Sequence, residues 1–243
     1  MKGEAFAWGI VAGSSLVLGG LIALRFNIPD LLLGIVMAFG AGVLISAVSY
    51  ELVGDAFDAS GGNWDVALGL FAGALAFFFG DAYIDRMGGE HRKRSSGQQA
   101  EGSGLAITLG IVLDGIPEAA VIGLSLVEGG ISAAMIAAVF LSNLPEALAA
   151  TTGLSAARWT GGRILGLWAS VMVVTGLSSL AGYGLLSGGS PSAVAFVQSF
   201  AAGALLTMLA DTMMPEAFER GGKLVGMFTT LGFGVAFAIT ALG

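Results

Sequence analysis

Apolar residues fall in blocks of about 20 along the chain, separated by short polar breaks. A helix of that length, rising about 1.5 Å per residue, matches a hydrocarbon core of about 30 Å. The blocks predict eight transmembrane helices, at about 5–24, 31–52, 64–84, 104–127, 131–153, 162–186, 193–214 and 223–242. The fold class expected is therefore an all-α membrane protein. Residues 1–243 form a single transmembrane domain in this reading: helices 1–3 over about 5–84, a cytoplasmic loop over about 85–103, helices 4–5 over about 104–153 and helices 6–8 over about 162–242. The first block follows Lys2 and has the look of a signal peptide, but it lacks a convincing cleavage site.

Composition narrows the class further. The chain is 56% hydrophobic and 11% charged, with a mean hydropathy of +0.88, which excludes an ordinary soluble domain. Its 40 glycines suit close helix packing in lipid, and spacings such as Gly9 with Gly13 or Gly69 with Gly73 are packing candidates. With no cysteine, disulfides, thiolate metal sites and cysteine nucleophiles are all excluded. Phe77-Phe78-Phe79 reads as lipid-facing or packing surface.

Placement of charge sets an expected orientation. With the N-terminus outside, the inside segments hold Arg25, Arg86, Arg92, Lys93, Arg94, Arg158, Arg163, Arg220 and Lys223, and only Lys2 lies outside. The excess of inside Lys and Arg predicts N-out and C-out topology. His91, the only histidine, stands between Glu90 and Arg92 in the long polar loop; it reads as solvated, with weak metal capture as the alternative.

The chain also repeats itself. Phe39-Gly40-Ala41-Gly42-Val43-Leu44-Ile45-Ser46 resembles Phe200-Ala201-Ala202-Gly203-Ala204-Leu205-Leu206-Thr207, 161 residues later. The same offset aligns Asp55-Ala56-Phe57-Asp58 with Glu216-Ala217-Phe218-Glu219 and Gly54 with Pro215. In the middle, Leu113-Asp114-Gly115-Ile116-Pro117-Glu118-Ala119 matches Leu141-Ser142-Asn143-Leu144-Pro145-Glu146-Ala147. Both pairs lie on spans expected to cross in opposite directions. The expected arrangement is thus three helices, a central pair and three helices, related as inverted repeats, which is a transporter signature.

The central pair carries the chemistry. A carboxylate inside a membrane is costly and usually faces a partner, a cavity or an ion path. Proline is expected to break the helix there, freeing the carbonyl four residues earlier, Leu113 or Leu141. Asp114 and Glu118 are four apart and share a helix face, as do Ser142 and Glu146. If the two segments face each other, three carboxylates, a hydroxyl and freed carbonyls converge on one all-oxygen cation site, with the Asn143 amide as a further candidate donor. Hard oxygen donors suit Mg, Ca or Mn, although Zn also accepts carboxylates.

These motifs resemble the ZIP (Zrt/Irt-like) family of divalent metal transporters, over essentially the whole chain. The resemblance implies eight spans with both termini outside, a long cytoplasmic loop after span 3, and a mid-membrane transport site on spans 4 and 5. The family's His-Asn-x-Pro-Glu-Gly motif stands here as Asp114-Gly115-Ile116-Pro117-Glu118-Ala119. Its span 5 Pro-Glu motif stands as Ser142-Asn143-Leu144-Pro145-Glu146-Ala147, and its span 7 histidine and Pro-Glu as Asp211 with Pro215-Glu216. Where the family favours histidine, this chain has Asp114, Ser142 and Asp211.

The candidate metal ligands are accordingly Asp114, Glu118, Ser142, Asn143 and Glu146, with Glu51, Asp55, Asp211 and Glu216 as pathway candidates. The expected cargo is Zn, Fe or Mn, with Cd as a further candidate, entering over an acidic outer face of Glu51, Asp55, Asp58, Asp65 and Glu128 and leaving past Asp211, Glu216 and Glu219. Three carboxylates around one divalent ion leave excess negative charge, so metal entry is expected to displace protons. Each candidate has a plainer role beside this one: internal hydrogen bonding for Asp114, Glu118, Ser142, Asn143 and Glu146, and solvated or capping positions for the four pathway residues.

Other functions compete. Gly80-Asp81 resembles half of an intramembrane aspartyl protease motif, whose partner is missing, and no Ser/His pair lies within a span. A carrier of another cation or solute, or a channel-like conduit, keeps the same architecture. The expectation is a transporter and not an enzyme, in a plasma membrane or bacterial inner membrane, with the metal ion and the bilayer as partners, no nucleic acid, and a homodimer suggested by the Gly-rich faces.

Overall fold

The computed structural model describes residues 2–89, 104–127 and 133–242. His91, Arg92, Lys93, Arg94 and Glu128, to which roles were assigned above, lie outside the described residues. Among those described the regular structure is entirely helical: α1 (Lys2–Arg25), α2 (Asp30–Ala47), α3 (Asp55–Ser60), α4 (Trp64–Ile84), α5 (Gly104–Ser125), α6 (Ala133–Ala156), α7 (Gly161–Leu186), α8 (Pro191–Met208), α9 (Met214–Gly221) and α10 (Leu224–Leu242). Wider π-helical turns, Val48–Gly54 and Leu209–Met213, join α2 to α3 and α8 to α9, and a third, Asp85–Gly89, extends α4.

Among the described residues, seven helical stretches are long and apolar enough to cross a membrane: Lys2–Arg25, Asp30–Ser60, Trp64–Met87, Met135–Ala156, Gly161–Leu186, Pro191–Gly221 and Leu224–Ala241. Helix α5, 22 residues long, packs among them and carries Asp114, Pro117 and Glu118. The chain is therefore an all-helical protein of membrane type.

Three expectations need correction. The second and seventh blocks were expected to end near 52 and 214, but their helices run on to Ser60 and Gly221. Ala56 and Ala217 stay buried there while Asp55, Asp58, Phe218 and Glu219 face outward, so an amphipathic extension satisfies its backbone internally beyond the apolar block. Residues 85–89, assigned to the loop, continue the helix of α4. Lastly, Pro117 and Pro145 each sit inside an unbroken helix. Each proline removes one hydrogen bond without unwinding its helix. The Leu141 carbonyl that Pro145 leaves without its helical partner lies against α2: a Cβ on Gly40 would stand 3.0 Å from it.

The repeat appears in the elements themselves. α2 begins at Asp30 and α8 at Pro191; the π turns begin at Val48 and Leu209; the helices end at Ser60 and Gly221; α1 and α7 end at Arg25 and Leu186. Every one of these pairs is 161 apart. Packing repeats too. α4 lies along α8 as α10 lies along α2, and α5 lies along α7 as α6 lies along α1, while α1 and α7 pack on each other. The two long helices run antiparallel, because Gly34 near the start of α2 meets Ala217 and Gly221 of α9, while α3 lies on α8.

Glycine makes the tightest crossings. A Cβ on Gly73 would lie 2.7 Å from the carbonyl carbon of Phe200, and one on Gly232 would lie 2.9 Å from that of Phe39. Gly42 and Gly203 likewise sit on the backbone at Thr229 and Leu70, each 2.8 Å from the carbonyl carbon. Phe39 and Phe200, and Gly42 and Gly203, are again 161 apart. Small residues let backbones approach closely where lipid supplies no hydrophobic drive between helices.

Polar ties mark the two ends of the bundle. At one end Arg220 donates to Asp30 Oδ1 and to Glu216 Oε1, both at 2.9 Å. At the other, Ser192 donates to Asp65, and Thr240 donates to Glu51 Oε1 at 2.9 Å.

Candidate metal site

Helices α5 and α6 bring the central motifs into the interior. Asp114, Glu118, Ser142 and Asn143 are all buried, and Glu118 is only 1% exposed. Glu118 faces α6: Ser142 Oγ donates to Glu118 Oε1 at 3.1 Å and to the Val139 carbonyl at 3.0 Å. One hydroxyl proton is thus shared between a helix carbonyl and a carboxylate, so the structural role and the site role of Ser142 coexist. Glu118 Oε2 is buried and has no hydrogen-bond partner among the described residues. Such an oxygen carries a desolvation cost unless something meets it. Asp114, one turn earlier on α5, lies within electrostatic range of Glu118.

Glu146 is half-buried on α6, and Asn143 is buried beside Ser142. Asp114, Glu118 and Glu146 are not drawn into one cluster: among the described residues, no three of His, Cys, Asp and Glu are grouped closely enough to hold a metal ion. Buried like charges repel, and here a hydroxyl rather than a third carboxylate meets Glu118. The arrangement brings together Asp114, Glu118 and Ser142. A Cβ on Gly115, the residue after Asp114, would meet nothing within 4 Å.

The pathway candidates lie at the π turns and beyond them. Glu51 and Asp211 are inside the two π turns, and Asp55 and Glu216 are in the helices that follow. Glu51 accepts from Thr240, and its neighbour Tyr50 stacks on Phe237 at 5.2 Å and Phe233 at 6.1 Å. Asp55 is exposed, in electrostatic range of Glu51 and Asp58. Asp211 is exposed. Glu216 is held by Arg220, whose side chain is 4% exposed and which also binds Asp30. The four residues do not form one group.

Sequence reading missed the Arg220 junction and the π turns. The acidic Asp30 and Arg220 are 190 residues apart, so no local spacing could reveal the junction. The 161-residue alignment did run through both π turns, but helix geometry is invisible in a residue match.

The fold and its interior carboxylates define a helical, membrane-type protein with a buried polar centre between two proline-containing helices. No protein-family profile matches the chain, and no curated protein is significantly similar to it.

Proposed function

We propose that the chain carries divalent transition-metal ions, Zn, Fe or Mn, across a membrane into the cytoplasm, through a mid-membrane site on α5 and α6, in the manner of the ZIP transporters it resembles. The observation that carries this reading is the buried Glu118, bonded across the helix pair to Ser142, with its second oxygen unmet and Asp114 one turn away. In this reading the ion is what meets that oxygen, and it gathers Asp114, Glu118 and Glu146 with Ser142 and Asn143 as neutral donors. Proton release accompanies entry, so uptake depends on pH.

The paired halves support a carrier. In this reading α5 forms an eighth span, both termini lie outside, and helices 1–3 and 6–8 are inverted repeats around the central pair. α1, α5, α6 and α7 pack as one group, and the two long helices with α4 and α10 as another. Ions cross as one group rocks against the other. The protein is a transporter in this reading, not an enzyme, and its place is a plasma or bacterial inner membrane.

The test is uptake into proteoliposomes of Zn, Mn, Fe, Cd and Mg, comparing the unmodified chain with Glu118→Ala and Glu146→Ala. Uptake of a transition metal that both substitutions abolish is the expected result. Uptake indifferent to both, or no uptake of any metal, would sink the reading.

A further inference from the structure

Two groups of arginines stand at one end of the bundle. Arg220 is consumed by Asp30 and Glu216. The second set is Arg25 at the end of α1, Arg158 after α6 and Arg163 in the first turn of α7. A Cβ on Gly161 would lie 3.5 Å from Leu24 Cδ1, so the α6–α7 turn sits on the end of α1 and the three arginines border one surface. All three are exposed, and among the described residues none makes an ion pair. From Ala147 to Ala210 the chain has no Asp or Glu, and Arg158 and Arg163 are its only charges, in a protein of net charge −7.

Arg158 is held in an unusual conformation. Its φ is 61°, making it the only non-glycine residue at positive φ among those described. It closes α6, with its N–H bonded to Ser155 O and the Trp159 N–H bonded to Leu154 O, both at 3.0 Å. Glycine or asparagine fills such a position with less strain. An outlier of this kind points towards a use for the side chain. Two of the guanidinium groups rest on rings: Arg163 lies 3.7 Å from the Trp159 centroid and Arg25 lies 5.6 Å from that of Phe26.

The depth of this surface is set by its helices. α1, α6 and α7 are all among the helices long enough to cross a membrane, and this is their common end. Arginine and tryptophan at such an end sit at headgroup level, with the rings in the boundary and the charge towards water. A guanidinium fork matches the oxygens of a phosphate.

We propose that Arg25, Arg158 and Arg163, with Trp159, form a binding surface for the phosphate of an anionic phospholipid headgroup. This rests on membrane embedding alone, so a failure of metal uptake leaves it standing. The test is thermal unfolding of the full chain in maltoside micelles with added dioleoylphosphatidylglycerol, dioleoylphosphatidylcholine or inorganic phosphate. The anionic phosphatidylglycerol is expected to raise the melting temperature, and the other two are not. Arg158→Gly suits the local backbone, so it should melt at or above the parent. It should nonetheless bind the anionic lipid about fivefold more weakly, the effect of about one arginine near an anionic surface. Arg25→Gln combined with Arg158→Gly and Arg163→Gln should abolish the response. Equal responses to both lipids, or an undiminished response in both variants, would overturn the proposal. A matching response to inorganic phosphate would overturn it too, by revealing a free-anion site.

Discussion

Replacing Gly73 by alanine tests whether the duplicated crossings hold the bundle together. The new Cβ would lie 2.7 Å from the Phe200 carbonyl carbon and 3.0 Å from its Cα. Carbon atoms pack at about 3.5–4.0 Å, so α4 and α8 must part by about 1 Å. The obstacle is backbone, which cannot swing aside as a side chain can. Overpacking of this kind costs about 1–3 kcal/mol, and a crossing that opens along much of two helices belongs at the upper end. Alanine returns about 1 kcal/mol through its better helix propensity. The net loss is then about 2 kcal/mol, or a fall of about 4–8 °C in melting temperature for a chain of this size. Gly232→Ala, at the matching crossing of α10 on α2, should cost the same within about 1 kcal/mol. Gly166→Ala is the control, because a Cβ there meets nothing within 4 Å, and it should gain about 1 kcal/mol. Melting of purified protein in detergent reads all three. The reasoning fails if Gly73→Ala melts with Gly166→Ala, or if the Gly73 and Gly232 variants differ widely.

Three further outcomes follow from individual contacts. Arg220→Ala should destabilise the fold by about 2–4 kcal/mol, because it strands Glu216, whereas Asp30→Asn, at the exposed side of the same junction, should cost under about 1 kcal/mol; melting temperatures distinguish them. Ser142→Ala removes the hydroxyl that bridges α6 to Glu118; it should cost about 1 kcal/mol in stability and raise the KM for metal uptake, with uptake in proteoliposomes as the measure. Asp114→His replaces an oxygen donor by imidazole, and should raise the Zn-to-Mn uptake ratio in a competition assay; an unchanged ratio would remove Asp114 from the ion's path.

Much of the fold was readable because a membrane imposes one rule on every span. The third block, expected at 64–84, coincides with the regular α-helix α4 (Trp64–Ile84), and only the wider turn Asp85–Gly89 carries the helix on past the apolar run. Blocks 2 and 7 were cut short because hydropathy marks where lipid contact ends, whereas Asp55–Ser60 and Met214–Gly221 remain helical through their own hydrogen bonds. Motif spacing put Asp114 and Glu118 on one face, and the contact of Glu118 with Ser142 follows from α5 and α6 presenting matched turns. That Glu146 stays apart from them was not readable, because it depends on helix rotation, which spacing along one helix does not fix. Glu216 shows the same limit: its Pro215 neighbour drew attention to transport, while its partner Arg220 sits one turn further on, with Asp30 brought in from the far half of the chain.

The π turns at Val48–Gly54 and Leu209–Met213 have a mechanical consequence. Such a turn holds a surplus residue within a helix that is otherwise wound at 3.6 residues per turn. If the surplus shifts along the chain by one residue, the residue it passes changes its angular position by about 100°, while the helix ends need hardly move. Glu51 and Asp211 are the acidic residues wound into these two turns. Each long helix therefore resembles a screw with a slipped thread, at the same distance from its start, and the slip can re-aim a carboxylate without any helix having to unfold.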